Sequence, residues 1–95
     1  MVVVGIEIIE RFVARHPECA QEVAELVRDL RATRFADPSA LKNRYPSVKI
    51  IDGTTAVFKV RGKRYRLTAT TAYKTQVLIV RALESHAKYD RRHLK

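Results

Sequence analysis

Apolar positions in this chain follow two periods, and the change falls just after residue 46. Ile6, Ile9 and Val13 recur at helical spacing with Phe12 beside them, and Val23, Leu26, Val27 and Leu30 repeat at i, i+3, i+4 and i+7. Each set makes one apolar stripe along a helix. Pro17 separates them, because the residue before a proline is disfavoured in the helical region, and proline suits the first turn of the helix that follows. In that second helix Glu18, Glu22 and Glu25 come early and Arg28, Arg31 and Arg34 late, an order that complements the helix dipole at both ends. The pair reads as a helical hairpin. Val2 to Val4 ahead of it reads as a short strand broken by Gly5. Asp37-Pro38 reads as an N-cap and a first-turn proline, opening a short helix over 38–44 that Tyr45-Pro46 ends.

Beyond Pro46 the period becomes two. Residues 48–51, 55–60, 63–72 and 76–83 read as four strands, with turn signals at Asp52-Gly53 and Arg61-Gly62. Short connections favour antiparallel neighbours. The prediction is a single α+β domain over residues 1–95, with the helical hairpin packed on one face of a twisted, mostly antiparallel sheet. Ninety-five residues are enough for one core and too few for two.

Charge divides the chain at the same place. Residues 1–55 carry eight Lys/Arg against eight Asp/Glu, whereas residues 56–95 carry eleven against two, so the whole formal +9 lies in the strand-rich part. There Lys59, Arg61, Lys63, Arg64, Arg66 and Arg81 are interleaved with Phe58, Val60, Tyr65, Leu67, Ile79 and Val80. Cations so placed sit on a folded sheet, and a fixed cationic surface suits a polyanion, nucleic acid above all. No apolar run approaches the roughly 20 residues that span a bilayer, and Met1 to Val4 is too short for a signal-peptide core. A cytoplasmic address is expected, with no membrane partner. Cys19 reads as a small buried hydrophobe. His16, His86 and His93 stand apart from any Cys or carboxylate cluster at ligand spacing, so no metal and no cofactor are expected.

Two stretches carry candidate chemistry. In Lys63-Arg64-Tyr65-Arg66-Leu67, strand alternation sends Tyr65 and Leu67 to the core and Arg64, Arg66 and Thr68 to the open face. Lys59 and Arg61 alternate in the same way on the preceding arm. The bland alternative is a solvated strand face; against it, several cations converge with no carboxylate near to pair them, and a phosphate would relieve their repulsion. The second stretch, Arg81 to Asp90, runs past the end of the last strand. Histidine is the side chain that exchanges protons near neutrality, and a tyrosine can stack on a base or donate its phenol proton, which singles out His86 and Tyr89. Here the bland alternative is a frayed tail with an incidental histidine.

Phe12 with His16-Pro17, Asp37-Pro38, Tyr45-Pro46-Ser47, Val57-Phe58-Lys59-Val60, Tyr65-Arg66-Leu67, and Arg81 with Ser85-His86-Ala87-Lys88-Tyr89-Asp90 resemble, in order and spacing, the landmarks of the HigB family of toxins. That family belongs to the RelE-like superfamily of bacterial toxin–antitoxin systems. The ending resembles its Thr-His-x-Glu-Tyr-Asp signature, and Lys63-Arg64-Tyr65-Arg66-Leu67 its Asn-Lys-Tyr-Arg-Leu. The resemblance implies a RelE-like fold and an mRNA interferase. Such an enzyme is a metal-independent endoribonuclease that cuts messenger RNA on the ribosome by attack of the RNA's own 2′-hydroxyl. It also implies a cognate helix-turn-helix antitoxin of HigA type. Carried over, it assigns His86, Tyr89 and Arg66 to catalysis and Lys59, Arg61 and Arg81 to RNA, with Lys63, Arg64 and Lys88 beside them.

Three positions depart from the pattern. Lys88 replaces a Glu that would partner the histidine, Glu84 stands for a glycine, and Lys63 for an asparagine. The competing class is a non-catalytic RNA- or DNA-binding module acting with its antitoxin in transcriptional repression. It would keep the cationic sheet and could dispense with His86 and Tyr89.

Overall fold

The computed structural model describes residues 1–93; Leu94, Lys95 and the side chains of Arg92 and His93 lie outside the described residues. Strand β1 (Val2–Val4) leads into helix α1 (Ile6–Arg15). A 3-10 turn over Pro17–Cys19 follows, then α2 (Ala20–Ala32) and the short α3 (Pro38–Arg44). Asp37 caps α3, its Oδ1 accepting the Ala40 amide at 2.8 Å. The strands β2 (Lys49–Ile51), β3 (Thr55–Val60), β4 (Tyr65–Ala72) and β5 (Val77–Ser85) come next, and helix α4 (His86–His93) ends the described chain.

The five strands form one sheet in the order β1-β5-β4-β3-β2. Hairpin connections make β2, β3, β4 and β5 antiparallel in turn, while β1 joins the edge parallel to β5. The α+β architecture is therefore the predicted one. Alternation along the strands sends Phe58, Val60, Tyr65, Leu67 and Ala69 to the face that α1 and α2 cover, where they meet Ile9, Phe12, Val23 and Leu30 in a single core. Pairing of Val80 with Ala69 and of Ala82 with Thr68 leaves Arg81 without a partner on β4. This bulge lets Val80 and Leu83, three positions apart, both reach the core.

Gly5 joins β1 to α1 with φ +92°, and a Cβ there would stand 2.8 Å from the Val80 carbonyl oxygen. Only glycine meets both the left-handed backbone and the close approach to β5.

The last helix is an element that the sequence periods did not predict. Strand β5 runs to Ser85, and Ser85 Oγ then accepts the Lys88 amide at 3.2 Å, capping α4. The His86 amide donates to the Arg64 carbonyl at 2.7 Å, fastening the helix start to the β3–β4 turn. Residues 86–93 lack an apolar stripe at helical spacing, so periodicity gave no sign of a helix. It is held by its cap, by the Arg64 bond and by burial of Tyr89.

One ion pair ties α2 to the end of α3. Asp29 takes a two-pronged contact from Arg44, whose Nε stands 2.7 Å from Oδ2, and the Tyr45 hydroxyl donates to the same carboxylate. Arg44, and after it Tyr45, lower the Asp29 pKa from 3.8 to about 2, while burial and the Asp29 contact push the Tyr45 phenol up. A depressed carboxylate stabilises the fold above its unfolded pKa, and that contribution disappears as pH falls through the folded value. Thermal unfolding of the wild type should thus lose stability between about pH 4 and pH 2, and Asp29→Asn should lose visibly less over that range. Parallel acid limbs for the two proteins would show that this pair does not carry the effect.

Candidate functional site

On the face of the sheet away from α1 and α2, alternation leaves Lys59 on β3 directly across from Arg66 on β4, and Arg66 across from Glu84 on β5. One strand further out, Lys49 on β2 pairs with Val57. Helix α4 lies over this end of the face. Between helix and sheet is a cavity of about 250 Å³ lined by Lys49, Val57, Lys59, Arg66, His86, Tyr89 and Asp90.

Arg66 is the fixed point of the cavity. It is only 7% exposed, and its Nη1 donates to the Lys63 and Tyr65 carbonyls at 3.1 and 3.2 Å. Those bonds set the guanidinium plane without neutralising its charge. Lys59 beside it is exposed, so two like charges share one cross-strand pair, which is unfavourable until an anion joins them. Glu84, 6% exposed on the opposite side, is the internal anion across from Arg66. The predicted absence of nearby carboxylates is corrected on this point, because Glu84 and Asp90 both belong to this end of the fold.

His86 opens α4, and one helical turn later Asp90 Oδ2 lies 3.0 Å from its Nε2. The other ring nitrogen, Nδ1, is buried and has no hydrogen-bond partner among the described residues. The ring therefore communicates with the cavity side through Nε2, and Asp90 accepts there when Nε2 carries a proton. Position i+4 on the helix thus supplies the histidine partner that Lys88 cannot be.

Of the residues singled out in the sequence, Lys59, Arg66, His86 and Tyr89 line the one cavity. The others lie apart from it. Arg61 does not continue the alternation of β3: the strand ends at Val60, Arg61 enters the turn at φ +53°, and its amide donates to the Glu22 carboxylate on α2. Arg64 does not share the face of Arg66, because β4 begins only at Tyr65; its guanidinium sits 5.7 Å from the Tyr65 ring centroid. Lys63 is exposed in the same turn, Lys88 is exposed on α4, and Arg81 is exposed at the bulge with Nε donating to Thr70 Oγ1 at 3.0 Å.

Tyr65 itself points to the core side, where its hydroxyl donates to Glu18 and stands 3.4 Å from His16 Nδ1. That bond lowers the Glu18 pKa and raises that of Tyr65. Phe12 stacks on His16 at 4.2 Å between centroids, so this second cluster staples the helical hairpin to the sheet.

Lys49, Val57 and Asp90 are the cavity residues to which the sequence assigned no role. A turn at Asp52-Gly53 that pairs Ile51 with Thr55 also pairs Lys49 with Val57, two positions before Lys59 and on its face. That register was a usable signal. Asp90 stands in the family signature, but its contact with His86 becomes visible only once residues 86–93 are known to be helical.

Residues 19–92 match the family described as HigB toxin, the RelE-like toxic component of a toxin–antitoxin system. No curated protein matches the chain. The matched segment holds every cavity residue and leaves out β1 and α1.

The His86–Asp90 contact has a direct spectroscopic signature. With the ring neutral, nitrogen NMR should show His86 protonated on Nε2, and Asp90→Ala should reduce that preference. A wild-type ring protonated on Nδ1 would mean that the pair does not form in solution.

Proposed function

The chain belongs to the HigB toxin family, the RelE-like toxic component of a toxin–antitoxin system; from that premise we propose that it is an endoribonuclease that cuts messenger RNA, with the cavity under α4 as its cleavage site. The observation that carries this is the facing of three cations, Lys49, Lys59 and Arg66, with the His86–Asp90 pair in one cavity of the matched segment. An antitoxin is the partner that family membership implies. The ribosome-bound message as substrate and the helix-turn-helix form of the antitoxin are parts of the proposal. Among the described residues no helix is long and apolar enough to cross a membrane.

In this reading the 2′-hydroxyl of a bound nucleotide attacks the adjacent phosphorus. The P–O5′ bond breaks, and the products are a 2′,3′-cyclic phosphate and a 5′-hydroxyl. Negative charge grows on the non-bridging oxygens during the attack. Arg66, already oriented by two backbone carbonyls, meets that charge with little reorganisation. Lys49 and Lys59 are exposed and able to follow the phosphates of the chain.

One proton must leave the 2′-hydroxyl and one must reach the departing oxygen. His86 serves one of these transfers through Nε2, since Nδ1 is closed off; in that step the ring keeps its other proton on Nδ1, so bound substrate takes the place at Nε2 that Asp90 holds in the free protein. Asp90 then stabilises the imidazolium while the ring holds the extra proton. Tyr89 is only 8% exposed and offers little ring face to a base. Its part is to wall the cavity and present its phenol, more than to stack.

His86→Ala should lower the single-turnover rate on a ribosome-bound message by roughly 10²- to 10⁴-fold, the usual span for a general acid or base, with products ending in 2′,3′-cyclic phosphate and EDTA without effect. Wild-type rates in this variant would remove the assigned role, and 5′-phosphate products that need added metal would refute the mechanism. RNA bound but never cut by the wild type would leave the non-catalytic repressor module.

Binding to single-stranded RNA should weaken with salt, and Lys49→Ala should reduce the log–log slope by about 0.7, the value for one phosphate contact on a single strand. An unchanged slope would take Lys49 out of the contact.

A further inference from the structure

On the side of the molecule away from the cavity, the two arms of the helical hairpin lean on different strands, α1 on β5 and α2 on β1. They leave between them a groove of about 630 Å³. Its floor is Ile9, Val23 and Val27, and Ile6, Val13 and Ala24 form its walls. Ile6 and Val13 are half-buried and Ala24 is exposed, so apolar surface is left open along the whole hairpin. A concave apolar surface between two helices has the shape into which the apolar face of a third helix packs. The stretch of α2 that lines it, Ala20–Ala32, is about 18 Å long at 1.5 Å per residue, the reach of roughly three turns of a second helix.

Charge along the rim selects the partner. Arg28 and Arg31 line the groove toward the C-terminal end of α2, both are exposed, and neither forms an ion pair among the described residues. Glu10 is the one acidic residue of the lining. A second copy of this chain would bring another +9 and set arginines against arginines. RNA would find phosphate partners at one end only, above an apolar floor with nothing to satisfy its bases.

We propose that this groove docks one amphipathic helix of the antitoxin, apolar along the face that enters and acidic toward the end that meets Arg28 and Arg31. Apolar residues at i, i+3, i+4 and i+7 of that helix fill the trough, and its carboxylates pair with the two arginines. The helix anchors the antitoxin on the face opposite the cleavage cavity. The proposal rests on family membership and not on the cleavage chemistry.

The test uses the full chain and its cognate antitoxin, with the dissociation constant measured by calorimetry. Ala24→Trp fills the groove from an exposed position, and the double variant Arg28→Glu with Arg31→Glu reverses its charged end; circular dichroism checks that both remain folded. Each should weaken antitoxin binding by at least about tenfold while RNA cleavage stays at the wild-type rate. An unchanged dissociation constant in Ala24→Trp overturns the proposal. So does a wild-type dimer that Ala24→Trp splits while antitoxin affinity stays the same, because the occupant is then a second copy. Loss of the cleavage reading would leave this test standing, since it reads binding alone.

Discussion

A cation withdrawn from water has to find its partners inside the protein, and among the described residues Arg66 is the one cationic side chain that is buried. Its position on β4, a strand hydrogen-bonded on both sides, allows it no lateral escape. Two carbonyls of its own hairpin accept hydrogen bonds from its Nη1, Lys59 stands across on one neighbour and Glu84 on the other. The rest of the cavity is arranged around that point. Helix α4 covers it, and the first and second turns of that helix bring His86, Tyr89 and Asp90 to its rim.

The two faces of the sheet carry different tasks because alternation along one strand serves both. Tyr65, Leu67 and Ala69 belong to the core, where large apolar side chains and the Phe12–His16–Tyr65 stack fix the helical hairpin. Arg66 and Thr68 lie between them in sequence and face the other way. The site is thus built on the rigid middle of the sheet at its cationic end, while the His86–Asp90 pair sits on a short helix fastened by a cap and one backbone bond. The hydrophobic core lies on the face that takes no part in the proposed chemistry.

That separation also places the two proposed contacts on opposite sides. RNA belongs to the cationic cavity, and the antitoxin helix to the apolar trough between α1 and α2. An even distribution of charge would not support such a split. All but Lys49 of the cavity lining comes from the basic back half of the chain, and the whole lining of the trough from the neutral front half.

Much of this was legible in the sequence. Helical spacing, Pro17 and the Asp37-Pro38 cap marked α1, α2 and α3, and the two turn signals marked the hairpins; each of these depends on neighbours a few residues apart, which sequence displays directly. Lys59, Arg66, His86 and Tyr89 were legible as a set through the family resemblance. What only the tertiary structure decided depends on contacts across long separations. Arg61 and Arg64 left the predicted face because the strands stop at Val60 and start again at Tyr65, and the Glu22 carboxylate and the Tyr65 ring lie near those ends. The helix over residues 86–93 has no apolar stripe, so its existence rests on the Arg64 carbonyl and the burial of Tyr89, and Asp90 meets His86 only because that helix forms. Local periodicity is written in the chain, whereas the partner of a side chain is set by the packing that brings distant residues together.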